Sequence, residues 1–296
     1  VIPVAFGYEA PTGLADVVAL LAADPDGTVL LAGGSWVVPS LGRGERTARR
    51  VVDLRWAGLA GIQVSDGRVR LGSCATYADI IRSAQLAVAA PVLRLMATGI
   101  TGGPQIIGRC TVGGSAVAAR PGSDVPAALT VLDAVAEIAG PAGTRRISVR
   151  DLWVDAFTVS LLPSEVLVAF EFDAMSPSTR CGYVKLKHST SSWPIVTAAA
   201  SVETDPDGVV RQASLAIGAA CRTPFTVAIN DIMVGRHANE ETVRAAGDAA
   251  TAAVTNAWHD ELAPDWYRTA AVAVAARRAL TDAVATTPSA ARLEQS

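Results

Sequence analysis

This sequence has little of what metal centres and hydrolytic sites are built from. Its four cysteines, Cys74, Cys110, Cys181 and Cys221, stand far apart, with no C-x-x-C pair and no compact cluster. That spacing argues against an iron–sulfur or structural zinc site within the chain. The three histidines, His188, His237 and His259, form no ligand motif, and no Ser–His–Asp or Cys–His constellation stands out. Charge is scarce at 18%, and the net charge of −3 lacks the basic excess of a nucleic-acid protein. Long hydrophobic runs are missing too. Apolar stretches break within a few residues and the start has no basic region, so neither a transmembrane segment nor a signal peptide is expected. A cytoplasmic protein is the expectation.

What the chain has in quantity is small apolar side chains. Hydrophobic residues make up 50% of 296 positions, much of it Ala and Val. Such a chain can build one large domain or two to three modest ones. Its apolar character means either close packing through small side chains or a surface partly covered by partner subunits.

Periodicity divides the chain into mixed elements. Leu14, Val17, Val18, Leu20 and Leu21 recur at helical spacing before a turn at 24–27. Short strands are expected at 29–31 and 50–54. The segments 62–64 and 69–71 flank Asp66–Gly67, a strong hairpin signal. Thr76 suits the N-cap of a helix starting near Tyr77, with Asp79 placed as a capping-box acid. A helix over 86–97 follows. After a glycine-rich centre, 127–132 reads as helix or turn, and 134–138, 145–149 and 164–172 as strands. Residues 175–178 read as a linker. Strands at 195–203 and 209–217, joined by a turn at 205–208, lead to helices over about 240–254 and 264–284, with a frayed tail after Thr286. The uneven mixture predicts an α+β fold rather than a doubly wound sheet.

Two glycine-bearing segments carry the functional signal: LAGGSWVVPSLGRG at 31–44 and TGGPQIIGRCTVGGSAVAARPGSDVPAA at 101–128. Each pairs adjacent glycines with hydroxyl residues, Ser35 in the first and Thr111 and Ser115 in the second. Backbone there can approach a ligand closely, adopt positive φ and aim N–H groups at phosphate oxygens. Neither segment matches G-x-G-x-x-G or G-x-x-x-x-G-K-[ST]. Gly33–Gly34 and Gly113–Gly114 therefore mark either tight turns or two cradles for one extended, phosphate-bearing cofactor. The basic run Arg43, Arg46, Arg49 and Arg50 is either a solvated turn or a positive field near a diphosphate. Asp124, between Ser123 and Pro126, suits a carboxylate accepting from cofactor hydroxyls and equally an N-cap over 125–132. Thr111 can serve a cofactor hydroxyl or cap a turn, and Arg109 can counter phosphate charge or lie on a solvated loop.

With these segments in order, the chain resembles the FAD-binding medium subunits of molybdenum hydroxylases, the group of carbon monoxide, xanthine and nicotine dehydrogenase assemblies. The resemblance runs through IPVAFGYEAPTGLADVVALL, AGGSWVVP, VVDL, LGSCATYADI, GGPQIIGRCTVGGS with PGSDVPAAL, and YVKLKHSTSSW at 183–193. It implies a two-part FAD-binding domain of the vanillyl-alcohol-oxidase (PCMH) type, with subdomains at 1–55 and 56–174. A smaller α+β domain of the carbon monoxide dehydrogenase flavoprotein type follows at 178–286. It further implies that Ala32, Gly33, Gly34, Ser35 and Trp36 lie along the FAD diphosphate and that Thr111, Gly113, Gly114 and Ser115 form a second clamp. Thr76 and Asp124 fall where the family makes further polar contacts, Lys185 on the family's lysine, and Trp193 where an aromatic lies near the isoalloxazine.

The implied activity is electron transfer by an FAD-bearing oxidoreductase subunit of a heterotrimer. Substrate is oxidised at a molybdenum–pterin cofactor in a large subunit, and electrons pass through [2Fe–2S] clusters of a small subunit to FAD and a terminal acceptor. No residue of this chain need touch the substrate. Alternatives are a self-contained flavin oxidoreductase and an assembly subunit with a degenerate flavin site. The chain also departs from the family pattern. Trp36 stands for a small hydroxyl residue, Ile107–Gly108 for Arg–Asn, Cys110 for glycine, and Arg120 for a short polar or acidic residue. Lys185 on strand periodicity either faces the flavin or reaches solvent, and Trp193 is either flavin-proximal or a buried anchor.

Overall fold

The computed structural model describes residues 2–285. The expected fraying after Thr286 and the end of the 178–286 assignment lie outside the described residues. Three larger sheets and one two-stranded pair organise the described residues into an α+β fold. The first is parallel: β1 (Gly7–Glu9), β2 (Thr28–Leu31) and β3 (Arg50–Asp53) run in the order β1-β3-β2. Parallel neighbours need crossovers, supplied here by α1 (Leu14–Ala23) and α2 (Val37–Gly42). Val17 and Leu21, one turn apart on α1, are its buried face.

The second sheet is antiparallel, ordered β4-β5-β10-β6-β7. Its first hairpin joins β4 (Ile62–Ser65) to β5 (Arg68–Gly72) through Asp66 and Gly67, both at positive φ (50° and 71°), as the sequence signal requires. The chain then makes six helices before returning to the sheet: α3 (Tyr77–Arg82), α4 (Ala84–Ala89), α5 (Pro91–Thr98), α6 (Gly103–Arg109), α7 (Val112–Val117) and α8 (Val125–Val131). The single helix expected over 86–97 is two. Pro91 has no N–H and crowds the residue before it, so Ala90 leaves helical geometry (φ −153°, ψ 66°) and a new helix starts at the proline. The glycine-rich centre is likewise more helical than its composition suggests. Strands β6 (Val135–Gly140), β7 (Gly143–Ser148), β8 (Trp153–Asp155), β9 (Thr158–Val159) and β10 (Val166–Asp173) complete this part, with β8 and β9 paired apart from the main sheet. Leu71, Leu93, Met96, Leu129, Ile138 and Phe170 are fully buried between sheet and helices. Burying each such large side chain is worth about 1.5–3 kcal/mol.

The third sheet, ordered β11-β12-β13-β14, comprises β11 (Thr179–Leu186), β12 (Val196–Thr204), β13 (Val210–Gly218) and β14 (Phe225–Val227). Helices α9 (Asn230–Met233), α10 (Glu240–Ala252) and α11 (Asp265–Val284) follow. The last lies so close to β11 that a Cβ at Gly182 would sit 1.9 Å from the Ala279 carbonyl oxygen. Arg268, fully buried on α11, donates to the Ile195, Ala219 and Ala263 carbonyls and pairs with Asp260.

Asp155 on β8 and Arg222, just before β14, join the second and third parts through two hydrogen bonds. The Arg222 guanidinium also lies 5.7 Å from the Trp258 ring centroid. Hydrogen bonding from Arg222, helped by the Ala156 N–H, pulls the Asp155 carboxyl down to about 2. A depressed folded-state value stabilises above the ordinary carboxylate range and fades as pH falls toward about 2. Wild type should therefore exceed Arg222→Gln in unfolding midpoint above about pH 4, with the two curves converging on acidification. The gap should be small and shrink in salt, because the pair is exposed. A pH-independent gap would contradict the assignment.

Candidate functional site

The site is assembled at the point where the first glycine segment meets the second. β2 pairs in parallel with β3 as far as Leu31↔Asp53, and the chain then leaves the sheet at its carboxyl end. From Gly33 to Val37 no backbone N–H finds an acceptor among the described residues. This row of free donors is what an oxyanion requires. Gly34 adopts φ +74°, which places a residue other than glycine under strain. Gly33 has a different reason to be glycine: a Cβ there would lie 1.9 Å from the Arg109 carbonyl oxygen and 3.1 Å from the Cys110 Cα. The contact is continued by the Cys110 thiol, which donates to Ser35 Oγ at 2.9 Å. The two segments, more than seventy positions apart, are thus in direct backbone contact.

Around Gly113 the second segment is tied into the protein by its own amides. Thr111 caps α7, its Oγ1 accepting from the Gly114 N–H at 3.1 Å. The Val112, Gly113 and Ser115 N–H groups donate to the carbonyls of Ala75, Ser73 and Thr111. Gly113 is buried, and a Cβ on it would meet the Ser73 side chain at 2.5 Å. Its glycine serves packing against the end of β5. Gly114 is exposed, and Ser115 Oγ lies 2.5 Å from the buried Tyr77 hydroxyl. Burial drives the Tyr77 phenol far above its ordinary value, so it remains a neutral hydrogen-bonding group. Thr76 makes the expected capping box with Asp79, and a bridge between Thr76 and Thr111 holds the starts of α3 and α7 side by side.

Asp124 precedes α8 but makes no side-chain cap bond. Its carboxylate turns instead to β11. Oδ2 accepts from Lys185 Nζ at 2.9 Å and Oδ1 from the Tyr183 hydroxyl at 2.9 Å. Lys185 also donates to the Gly99 carbonyl at 3.3 Å. Both charged side chains are about 5% exposed. Lys185 therefore neither reaches solvent nor presents a free charge. Burial pushes the Asp124 carboxyl up, against the opposing pull of Lys185 and Tyr183. The sequence reading singled out Asp124 and Lys185 but missed Tyr183. Alternation along β11 was the available signal, since positions 183 and 185 share one face of a strand.

Three further residues meet beside the first turn. The Arg120 guanidinium carbon lies 5.4 Å from the Trp36 ring centroid and 4.3 Å from that of Trp193. Trp36 is 43% exposed and Trp193 44%, so Trp193 is not a buried anchor. Two of the residues marked as departures from the family pattern, Trp36 and Arg120, are thereby in contact. Ile107 packs against the main core, whereas Gly108 and Arg109 are exposed on α6. Among the described residues no cluster of His, Cys, Asp or Glu could hold a metal ion, and no helix is long and apolar enough to cross a membrane.

The chain is similar to known proteins along most of its length. The family described as "FAD binding domain in molybdopterin dehydrogenase" matches residues 4–172, and that described as "CO dehydrogenase flavoprotein C-terminal domain" matches 182–283. The carbon monoxide dehydrogenase medium chain of Afipia carboxidovorans is 32% identical over 94% of this chain and 96% of its own length. A structure of reconstituted CO dehydrogenase from Oligotropha carboxidovorans superposes with a TM-score of 0.91 at 31% identity, covering 97% of this chain and 100% of that one. Quinoline 2-oxidoreductase from Pseudomonas putida superposes at 0.88 and 27% identity, covering 95% and 97%.

Proposed function

The chain belongs to the FAD-binding medium subunits of the molybdenum hydroxylase family, and on that footing we propose that it is the flavin-bearing electron-transfer subunit of such an assembly. FAD, when bound, supplies the exchange between one-electron [2Fe–2S] carriers of a small subunit and a terminal acceptor. Its partners are that small subunit and a large subunit holding the molybdenum–pterin cofactor, together in the cytoplasm. Residues 1–55 and 56–174 are the two halves that hold the nucleotide, and 178–286 the domain that closes over it.

The observation that carries this reading is the contact of Gly33 with the Arg109 carbonyl, which sets a row of free amides beside a second, rigid helix start. The residues present fit a dinucleotide. The N–H groups of Gly33, Gly34, Ser35 and Trp36 suit a diphosphate, with Ala32 leading the chain into that turn. Thr111 and Thr76 cap α7 and α3 and Gly113 packs on Ser73, which fixes the second clamp, while the Thr111 hydroxyl keeps its proton to donate to the cofactor. Within the second clamp Gly114 is exposed and Ser115 half-buried, which leaves both accessible to the cofactor. The Asp124–Lys185 pair locks the third sheet against this wall.

The test is native purification together with neighbouring subunits. Stoichiometric FAD on this chain, with iron and molybdenum on its partners, is the expected result. A colourless chain that takes up no FAD on titration would end the proposal. A flavoprotein that turns over substrate without any metal-bearing partner would move it to a self-contained oxidoreductase.

A further inference from the structure

Arg120 is held in an unusual way. Ala119 before it is buried and adopts φ +44°, a left-handed conformation costly for a residue with a Cβ. The Ala119 carbonyl accepts from the Phe157 N–H at 2.7 Å, and Pro121 follows, so the backbone on both sides is fixed. The side chain then runs between two indoles contributed by distant parts of the chain, Trp36 from the turn after β2 and Trp193 from the segment before β12. Stacking satisfies the faces of a guanidinium and leaves its edge, with five N–H donors, to be met by something else. Among the described residues that edge makes no hydrogen bond and no ion pair. Asp260, whose charge favours the cationic form of Arg120, is already engaged by Arg268 and the Trp258 indole N–H. Burial disfavours the charged form of Arg120, yet an arginine remains a cation throughout the physiological range.

A pre-oriented cation with a free planar fork suits an oxyanion, because the fork spacing matches two phosphate or carboxylate oxygens. One of its two stacking partners, Trp36, belongs to the turn whose amides also lack acceptors. Amide row and guanidinium edge are two sets of unmet donors tied together by one side chain. We propose that Arg120, clasped between Trp36 and Trp193, binds the diphosphate of the dinucleotide and supplies the cationic contact that the turn at 33–37 itself lacks. The inference rests on the reading of this chain as an FAD-binding subunit.

The test uses the full chain freed of flavin and titrated with FAD and, separately, with riboflavin, which has the same ring and no phosphate. Arg120→Met keeps the length of the side chain and its fit between the indoles while removing the charge and the fork. It should bind FAD about ten- to a hundredfold more weakly and lose much of the salt dependence of binding, with riboflavin affinity unchanged. Arg120→Lys keeps the charge without the fork and should fall between the two. It also carries the test should the methionine variant fail to fold.

Each other result overturns the proposal in a recognisable way. Equal weakening for FAD and riboflavin would make Arg120 a support for the ring. Unchanged affinities with a shifted flavin midpoint potential would place its charge at the ring. Unchanged affinities and potential would assign the cation to a partner's acidic surface or to the fold alone. Wild-type protein that binds neither ligand would instead refute the parent reading, so the two failures are distinct.

Discussion

Gly33→Ala is expected to weaken FAD binding by about a hundredfold while costing about 1–3 kcal/mol of stability. The added Cβ would stand 1.9 Å from the Arg109 carbonyl oxygen and 2.8 Å from its carbon, and both are backbone atoms that cannot rotate away. The turn after β2 and the end of α6 must move apart, taking with them the Ser35–Cys110 contact and the alignment of the free amides. Binding falls further than folding because a dinucleotide needs both sides at once, whereas each side keeps its own core. Gly42→Ala is the control: that glycine is exposed on α2, and a Cβ on it meets nothing within 4 Å. Isothermal titration with FAD, alongside urea unfolding, separates the two effects. Wild-type FAD affinity in the Gly33 variant would show that contact between the two segments is not what builds the site.

The second large effect concerns the buried pair between the second and third sheets. Asp124→Ala leaves the Lys185 ammonium buried with the Gly99 carbonyl as its one remaining acceptor among the described residues, and should cost about 3–5 kcal/mol. Replacing both partners, Asp124→Leu with Lys185→Met, should recover most of that loss, since apolar residues of similar volume substitute well for a buried ion pair. Tyr183 tolerates the double change, because its hydroxyl also reaches the Asp124 backbone carbonyl at 3.2 Å. That burial pushes the Asp124 carboxyl upward is consistent with a pair whose desolvation offsets much of its attraction. The double-mutant cycle is read from denaturant midpoints. Additive losses would mean that the two charges are independent. FAD titration of a stable double variant then asks a separate question, whether either side chain also touches the cofactor.

Local signals were legible in the sequence, and their structural meaning depended on distance along the chain. Asp66–Gly67 gave the hairpin because its two positive φ values are a property of the dipeptide itself. Thr76 and Asp79 gave a capping box because all its partners lie within four residues. The glycine pairs were found for the same reason, but a glycine does not reveal what occupies the space of its missing side chain. At Gly33 and Gly113 that neighbour is protein, the Arg109 carbonyl and Ser73. Both glycines therefore fix the approach of two backbones, and the amides of Gly113 and Gly114 are bonded within the protein whereas those of 33–37 are free among the described residues.

Asp124 illustrates the same limit. Its position before a helix suggested a cap, while its actual partner lies 61 positions later on a strand. Nothing local distinguishes these outcomes, because burial of Tyr183 and Lys185 on the inward face of β11 decides them. The clasp of Trp36, Arg120 and Trp193 was visible only as three separate oddities. Pro91 was the exception, a local rule whose effect on the helix over 86–97 was there to be read.

The indole clasp and the buried ion pair both join parts of the chain that are synthesised at different times. A nascent chain that has emerged only as far as residue 177 already carries the amides of 33–37 and Arg120, yet lacks Trp193 and the lysine that neutralises Asp124. In such a chain Arg120 has one of its two indoles, and Asp124 is without the lysine and the tyrosine hydroxyl that hold its carboxylate.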